Sequence, residues 1–492
     1  MIIKTDQEEI QAYLTDASNV KGNCSAVYFP ENAEDVKAAL AEAEKMNARV
    51  TVSGNGTGLT GSRVPSGGIV IATEKMNRII ELNREELYAV VEPGVLLSDL
   101  QKTLEEENLF YAPDPTETNC FIGGTVATNA SGAKTFKYGP TRNYVLELEV
   151  VLADGGVVFL KRGENTADNL NVKLTDDKGR EYKFSLPEIN MPAVKNASGY
   201  FIKPEMDVID LFIGSEGTLG VITKIKLRLL RLNRDIISCV VFFNQENDAL
   251  DFVDKSRSVS YKNRETSGKL DARALEFFDE KSLKFLSEDF PQMPAEAKAA
   301  VWFEQEITEN NEDELLEQWL ELITEFNGNE ESVWFASGES ERAKIHEFRH
   351  AISSKVNEYI SRNHLRKLGT DVAVPDENFR ELYYYCQNLM TSRGMRSVAY
   401  GHFGNSHIHL NMLPENEARF SEGKELYKDI CKKAVGLKGT VSAEHGIGKI
   451  KTDYLIYMYG EEVVRKMGSL KKELDPGLKL GIGNIISESL YS

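Results

Sequence analysis

Four of the chain's seven histidines fall in two short segments: residues 400–411, YGHFGNSHIHLN, and residues 442–448, SAEHGIG. They are His402, His407, His409 and His445. The other three, His346, His350 and His364, share one stretch whose spacing predicts a helix and its end. Gly401, Gly404 and the pair Asn405-Ser406 break the first segment into strand, turn and strand. After the turn His407, His409 and Asn411 alternate with Ile408, Leu410 and Met412, so the polar set shares one face. A hairpin turn can bring His402 back beside His409, and Glu444 and His445 then need only come from one neighbouring loop. Two imidazoles and a carboxylate suit zinc or a similar divalent ion. The leftover histidine would be a base beside it.

The elements that must carry these residues are legible in outline. Beyond about residue 235, strands and helices alternate without glycine clusters, which reads as an α+β domain. Strands are expected at 236–243, 300–303, 371–375 and 396–402, and helices at 247–258, 275–286, 312–326, 342–361 and 377–393. A last helix is expected at 461–474.

The first half has a different texture. A short amphipathic helix is expected over residues 1–21, then a strand at 27–30, a helix at 32–46 and a strand at 48–53. The segment 54–68, GNGTGLTGSRVPSGG, formally contains GxGxxG at Gly56, Gly58 and Gly61. A Rossmann-type site needs a helix straight after such glycines, yet here Pro65, Gly67, Gly68 and the strand-like run 69–72 follow. No lysine follows Gly61, so it is not a nucleotide triphosphatase loop either. Its many glycines let consecutive backbone N–H groups point at one anion, and Asn55, Thr57, Thr60 and Ser62 add further donors. The segment reads as a strand–loop–strand cradle for a pyrophosphate. Residues 111–132, YAPDPTETNCFIGGTVATNASG, combine a proline-stiffened entry with small residues that permit close approach of something flat. Residues 210–223, DLFIGSEGTLGVIT, form another glycine-interrupted strand and turn. Residues 162–192 read as a charged surface insertion, with DDKG as a hairpin turn.

A chain of 492 residues predicts two or three domains. The net charge of −19 argues against nucleic acid and against anionic lipid as electrostatic partners. No run approaches the roughly 20 apolar residues of a membrane span. Residues 1–14, MIIKTDQEEIQAYL, carry acidic groups where a signal peptide needs an apolar core, so export is not expected. Five dispersed cysteines with no CxxC pair fit reduced thiols and a cytoplasmic location, and no iron–sulfur signature.

SGNGTGLTGSRVPSGG, IGGTVATNASGAKTFKYGPTRNYVLELEVVLADG and FIGSEGTLGVIT resemble the FAD-binding half of the vanillyl-alcohol oxidase or p-cresol methylhydroxylase group. YGHFGNSHIHLN and SAEHGIG narrow the resemblance to the D-2-hydroxyacid branch, which includes D-lactate dehydrogenase, the FAD subunit of glycolate oxidase and D-2-hydroxyglutarate dehydrogenase. The fold this implies is α+β: a two-subdomain PCMH-type FAD-binding domain over 22–230 and an α+β cap domain with an antiparallel sheet over 231–455. A C-terminal segment, 456–492, would return to the FAD domain.

By that resemblance Ser53, Gly54, Asn55, Gly56, Thr57, Gly58, Gly61 and Ser62 hold the FAD pyrophosphate. Pro113, Thr118, Gly123, Gly124, Ala127, Thr128, Asn129, Gly132, Gly217 and Ile222 line the cofactor, with Asn484 as a flavin contact from the tail. No histidine lies in the FAD half, so the flavin is expected to be non-covalent. The resemblance also assigns His402, His409 and Glu444 as ligands of a divalent metal, zinc by preference, and His445 as the base. Arg349 would clamp the substrate carboxylate, with Ser353 one helical turn on, and Asn411 would hold the substrate. Three departures stand out, one being that the tail LDPGLKLGIGN lacks the usual Asn-Pro-Gly-Lys ending. Members commonly read GDGN where this chain has Gly404-Asn405-Ser406-His407, so His407 is extra and directed at the metal, the substrate or the packing around them. A lysine of the D-2-hydroxyglutarate members falls at Gly369 here, with Lys367 two residues away.

The expected activity is therefore metal-assisted oxidation of a D-2-hydroxy acid, D-lactate ahead of glycolate or D-2-hydroxyglutarate, with hydride passing to flavin N5. A flavoprotein electron-relay subunit of a larger complex is the alternative from another class. Electrons would leave to a separate acceptor: an electron-transferring flavoprotein, a quinone or an iron–sulfur subunit. The family often forms dimers, so a homodimer is implied by resemblance alone.

Overall fold

The computed structural model describes residues 1–491 apart from 265, 267, 309, 310 and 367. Lys367, two residues from Gly369, lies outside the described residues. The chain divides into two units. Unit 1 comprises Met1–Ser131, Pro140–Leu232 and Val441–Ser492; unit 2 comprises Gly132–Gly139 and Asn233–Thr440. The return to unit 1 thus begins at Val441, ahead of the expected 456, so the segment 442–448 belongs to unit 1. Gly132 belongs to unit 2.

Unit 1 opens with four strands, β1 (Ile2–Lys4), β2 (Ala26–Phe29), β3 (Val50–Ser53) and β4 (Ile69–Ala72), in the order β1-β2-β4-β3. β1 is antiparallel to β2, and the other pairs are parallel. Helix α1 (Ala33–Lys45) links β2 to β3. The Asn32 side chain caps it by accepting from the Asp35 N–H at 3.0 Å, a contact worth roughly 1 kcal/mol. Val36, Ala39, Leu40 and Ala43 bury its apolar stripe in one cluster with Val50, Ile69 and Ile71. Parallel strands usually need a helical crossover, but the glycine-rich segment alone joins β3 to β4. A second, antiparallel sheet holds β5 (Ile79–Asn83), β6 (Tyr88–Val91), β7 (Val145–Val151), β8 (Val157–Lys161) and β9 (Val221–Arg228), in the order β5-β6-β9-β7-β8. The DDKG turn closes a hairpin of Asn171–Thr175 with Glu181–Ser185.

One expectation for unit 1 is corrected. Residues 1–21 form no α-helix: Ile2–Lys4 is the edge strand β1, and Gln11–Tyr13 is a single 3-10 turn. Only Ile10 and Asp16 are buried in residues 1–20, so no apolar stripe exists to hold a helix down, and the Asp6 carboxylate accepts from the N–H groups of Glu8 and Glu9 in a local turn. Conversely, the small-residue segment contains a helix, α2 (Ile122–Thr128), with Gly123 and Gly124 in its first turn.

Unit 2 is built on an antiparallel sheet of β10 (Ile236–Phe243), β11 (Ala272–Asp279), β12 (Ala299–Glu306), β13 (Trp334–Ala336), β14 (Leu368–Gly369), β15 (Val372–Ala373), β16 (Ser397–Gly401) and β17 (His407–Met412). The order is β13-β10-β12-β11-β16-β17-β14, with β15 also paired to β17. Helix α3 (Glu339–Arg362) presents Ile345, Phe348, Ile352 and Val356 to a cluster that includes Val240, Phe242 and Trp302 of the sheet. Full burial of Phe348 alone contributes roughly 1.5–3 kcal/mol. The helix expected over 275–286 is corrected: β11 occupies its first half and a helix, Glu280–Leu286, only the second. Leu275, Phe278, Leu283 and Leu286 do recur at helical intervals. All eight residues of β11 are buried, however, and burial on both faces erases a strand's alternation. Asp279 starts the short helix by accepting from the Ser282 N–H at 2.7 Å.

Candidate functional site

In unit 2 the histidine hairpin is pinned by its turn. β16 pairs with β17 so that Tyr400 stands opposite His409. The 3-10 turn Phe403–Asn405 reverses the chain, and Ser406, at φ +51°, closes it. Gly401 has φ +130°, and a Cβ there would stand 2.9 Å from His409 Cδ2. Both facts demand glycine. Gly401→Ala is expected to cost about 1–3 kcal/mol in chemical denaturation; an unchanged midpoint would mean that the hairpin yields without strain.

The hairpin gathers His402, His407 and His409. Their ring centroids are 5.2, 5.3 and 4.4 Å apart, and each ring offers a nitrogen within 4.8 Å of the others'. Each ring is also oriented. His402 Nδ1 is 2.5 Å from Glu276 Oε1, His409 Nδ1 is 3.2 Å from the Thr370 carbonyl, and His407 Nε2 is 3.0 Å from Asp371 Oδ1. Imidazoles that ligate metals characteristically rest their second nitrogen on a carboxylate or a carbonyl. The donor set of unit 2 therefore fits a borderline divalent ion.

Arg349 lies beside this cluster. Its Nη2 is 3.3 Å from Glu276 Oε2, its Nη1 is 3.1 Å from His350 Nδ1, and its side chain is only 9% exposed. The guanidinium also stands over the Trp302 ring. Glu276 thus joins Arg349 to His402, one oxygen to each. Ser353 Oγ is 3.2 Å from the Tyr400 hydroxyl, and the Asn411 amide donates to the His409 carbonyl at 3.5 Å. Burial raises the pKa of Tyr400, while Ser353 and the charge on Arg349 act the other way. Beneath Trp302, Glu304 lies 2.7 Å from His346 Nε2 and 3.3 Å from Arg273 Nε. Glu276, Glu304 and Arg273 are not singled out by the sequence, and His346 and Tyr400 are given no role by it.

In unit 1 a cleft of about 280 Å³ runs along the glycine-rich loops. Gly54, Asn55, Gly56, Thr57, Gly58 and Ser62 line it, as do Gly123, Gly124, Ala127, Thr128, Gly217 and Ile222. The buried Ser53, Gly61, Pro113 and Asn129 and the exposed Thr118 do not line it; their neighbours Val52, Thr60, Pro115, Glu117 and Ala130 do. A Cβ on Gly124 would meet nothing within 4 Å, so that wall is bare backbone. Bare glycine backbone beside the apolar surfaces of Val52, Phe121 and Ile222 suits a ligand with an anionic centre and a flat ring. Arg63 braces the first loop by donating to the carbonyls of Gly54 at 2.8 Å and Thr15 at 3.1 Å.

Glu444 and His445 also line this cleft. His445 Nε2 is 3.5 Å from Glu444 Oε1, and Lys195 Nζ donates to Glu444 Oε2 at 2.7 Å. The loop carrying them is over-determined. Glu216 accepts from the N–H groups of Ile447 and Gly448 at 2.8 Å each and from Ser62 Oγ at 2.5 Å. Burial raises the Glu216 pKa against these bonds. At Gly448, φ +51°, a Cβ would lie 2.1 Å from the Thr60 carbonyl, so only glycine lets the two loops meet. Asn484 does not line the cleft. It ties the tail to this network, donating to the carbonyls of Ser62 and Glu216 and accepting from Lys449 at 2.7 Å. Burial lowers the Lys449 pKa to about 8, partly offset by Glu216.

This geometry agrees with the comparisons. Residues 24–161 match the FAD binding domain family, and residues 244–484 match the C-terminal domain of FAD linked oxidases. The chain belongs to the FAD-linked oxidases, which are FAD-dependent oxidoreductases. It is 28% identical over 464 residues to a D-lactate dehydrogenase of Anaerostipes hadrus, covering 92% of this chain and 87% of that one. It is 27% identical to the glycolate oxidase subunit GlcD of Bacillus subtilis, covering 94% and 89%. A 4-ethylphenol oxidase from Gulosibacter chungangensis shares the PCMH-type fold, with a TM-score of 0.69 at 17% identity over 99% of this chain and 95% of that one. All five cysteines are buried and unbridged, and among the described residues no helix is long and apolar enough to cross a membrane.

Proposed function

We infer that the protein oxidises a D-2-hydroxy acid to the 2-oxo acid, with D-lactate as the favoured substrate. The observation that carries this reading is the Arg349–Glu276–His402 chain, which fixes a carboxylate-binding guanidinium and a metal-ligating imidazole through one buried carboxylate. A 2-hydroxy acid needs both kinds of partner, one for its carboxylate and one near its hydroxyl.

FAD, held by the unit 1 loops, supplies the hydride acceptor, and a divalent ion held by His402, His409 and Glu444 supplies Lewis acidity. Glu444 binds Lys195 in this structure, so ligation requires that ammonium to share or yield the carboxylate. Arg349 grips the substrate carboxylate bidentately, Ser353 and Asn411 steady the substrate by hydrogen bonds, and His445 takes the hydroxyl proton. Position 369 favours a small monocarboxylate. Gly369 pairs with Asn411, and a Cβ there would fall 2.9 Å from Asn411 Oδ1, so no cationic side chain projects from that position toward a second carboxylate.

The test is anaerobic bleaching of the flavin absorption band by a panel of D- and L-2-hydroxy acids, before and after chelation. D-Lactate is expected to bleach the flavin; the effect should disappear on chelation and return with a divalent ion. Glycolate and D-2-hydroxyglutarate belong in the same panel. Bleaching that ignores the chelator would remove the metal from the reading and keep the dehydrogenase. No bleaching by any acid would remove the substrate class and return weight to an electron-relay role.

A further inference from the structure

We propose that His407 is a third imidazole ligand, so that unit 2 by itself holds a tris-histidine site, His402, His407 and His409, for a borderline divalent transition ion. The inference rests on the metal-assisted reading and extends it. His407 occupies a position where a polar side chain costs free energy unless something compensates it: the ring is fully buried. It lies closer to His409 than either ring lies to His402, at 4.4 Å between centroids against 5.2 and 5.3 Å.

Strand geometry makes this arrangement more than a coincidence of packing. Residues 407 and 409 are two apart on β17 and therefore face the same way, while His402 enters from the other arm across the Phe403–Asn405 turn. Three nitrogens thus converge from the two arms of the hairpin. Asp371 stands behind His407 as Glu276 stands behind His402 and the Thr370 carbonyl behind His409. A carboxylate or a carbonyl thus lies within 3.2 Å of one nitrogen of each imidazole, where a ligating histidine rests its second nitrogen. Asp371, itself fully buried, costs less to bury if the imidazole it faces also meets a cation. Three neutral imidazoles favour Zn²⁺, Co²⁺ or similar ions over Mg²⁺ and Ca²⁺.

The experiment uses the full-length flavoprotein loaded with Zn²⁺. Zinc affinity is measured by competition with a chromophoric chelator, and the number of imidazoles bound by X-ray absorption at the zinc edge. Three imidazoles are expected in the unaltered protein. His407→Asn should bind zinc at least about 100-fold more weakly, since disturbing even a backing group costs roughly 10–100-fold, and should show two. Asp371→Asn should weaken binding by roughly 10–100-fold with three imidazoles retained. Two imidazoles in the unaltered protein overturn the inference without any variant having to fold. Zinc affinity indifferent to His407→Asn also overturns it and leaves the metal-assisted reading standing. A protein that takes up no divalent transition ion overturns both.

Discussion

His445→Asn is expected to slow substrate-dependent flavin reduction by about 10²–10⁴-fold, the usual contribution of a positioned general base, while FAD content stays at its original level. The first half follows from the proposed role: asparagine approximates the size and polarity of the imidazole and cannot accept the hydroxyl proton. The second follows from how the loop is held. It is held by the N–H groups of Ile447 and Gly448 on Glu216, by Lys449 Nζ donating to the Gly61 carbonyl at 3.5 Å, and by the His445 carbonyl accepting from Thr60 Oγ1 at 3.3 Å. Ser442 is fixed from Ser198 and Lys451. None of these contacts involves the imidazole, so the cleft wall persists in the variant. Stopped-flow reduction under anaerobic conditions separates the outcomes. A large fall in the limiting rate constant with little change in the acid's apparent Kd marks a base. A weaker apparent Kd with an intact rate constant would make His445 a binding residue and send the proton elsewhere.

The chemistry of this protein is written in its sequence more openly than its supports. Histidines are scarce, so four in two segments stand out, and period-two alternation across residues 407–412 already puts His407, His409 and Asn411 on one face. The glycine loop was equally legible, because prolines and a following strand exclude a Rossmann helix, and β3 and β4 do join without one. Glu276 escaped for a physical reason. It lies in ARALEFFD, a strand buried on both faces, where burial removes the alternation that marks strands and leaves a helical spacing in its place. Arg273 sits in the same run, and Glu304 in a similar one, AAVWFEQE. A charge inside an otherwise apolar strand was the available signal, since such residues are seldom buried without a partner. Lys195 gave no signal at all: nothing local relates it to Glu444, 249 positions away. Spacing finds groups that share an element; only the fold finds groups that share a neighbour.

Glu304→Gln is expected to destabilise unit 2 by about 3–5 kcal/mol near neutral pH, the range for removing one partner of a buried charged set. Glu304 and Arg273 have side chains 2% and 6% exposed, and His346 bonds to the second carboxylate oxygen. Burial alone would raise the pKa of Glu304. Arg273, then His346 and Lys134, outweigh it and hold the value at about 2, against an ordinary 4.5. A carboxylate depressed in the folded state contributes stability that is complete above its unfolded value and is lost as pH falls through the folded one. The difference between the original protein and Glu304→Gln should therefore be constant above about pH 5 and shrink between about 4.5 and 2. His350 supplies an internal contrast. Burial, with Arg349 and His346, lowers its pKa from 6.5 to about 4, so stability falls as pH drops from about 6.5 to 4, in both proteins alike, and this loss cancels from the difference. Urea denaturation along a pH series reads the two windows separately. If the difference began to shrink near pH 6, the variant would have disturbed His350 through His346, and the charge on Glu304 would not be what holds the sheet face together. If it stayed constant down to pH 2, the carboxylate would be acting through its shape and hydrogen bonds, and Arg273 would be neutralised by other neighbours.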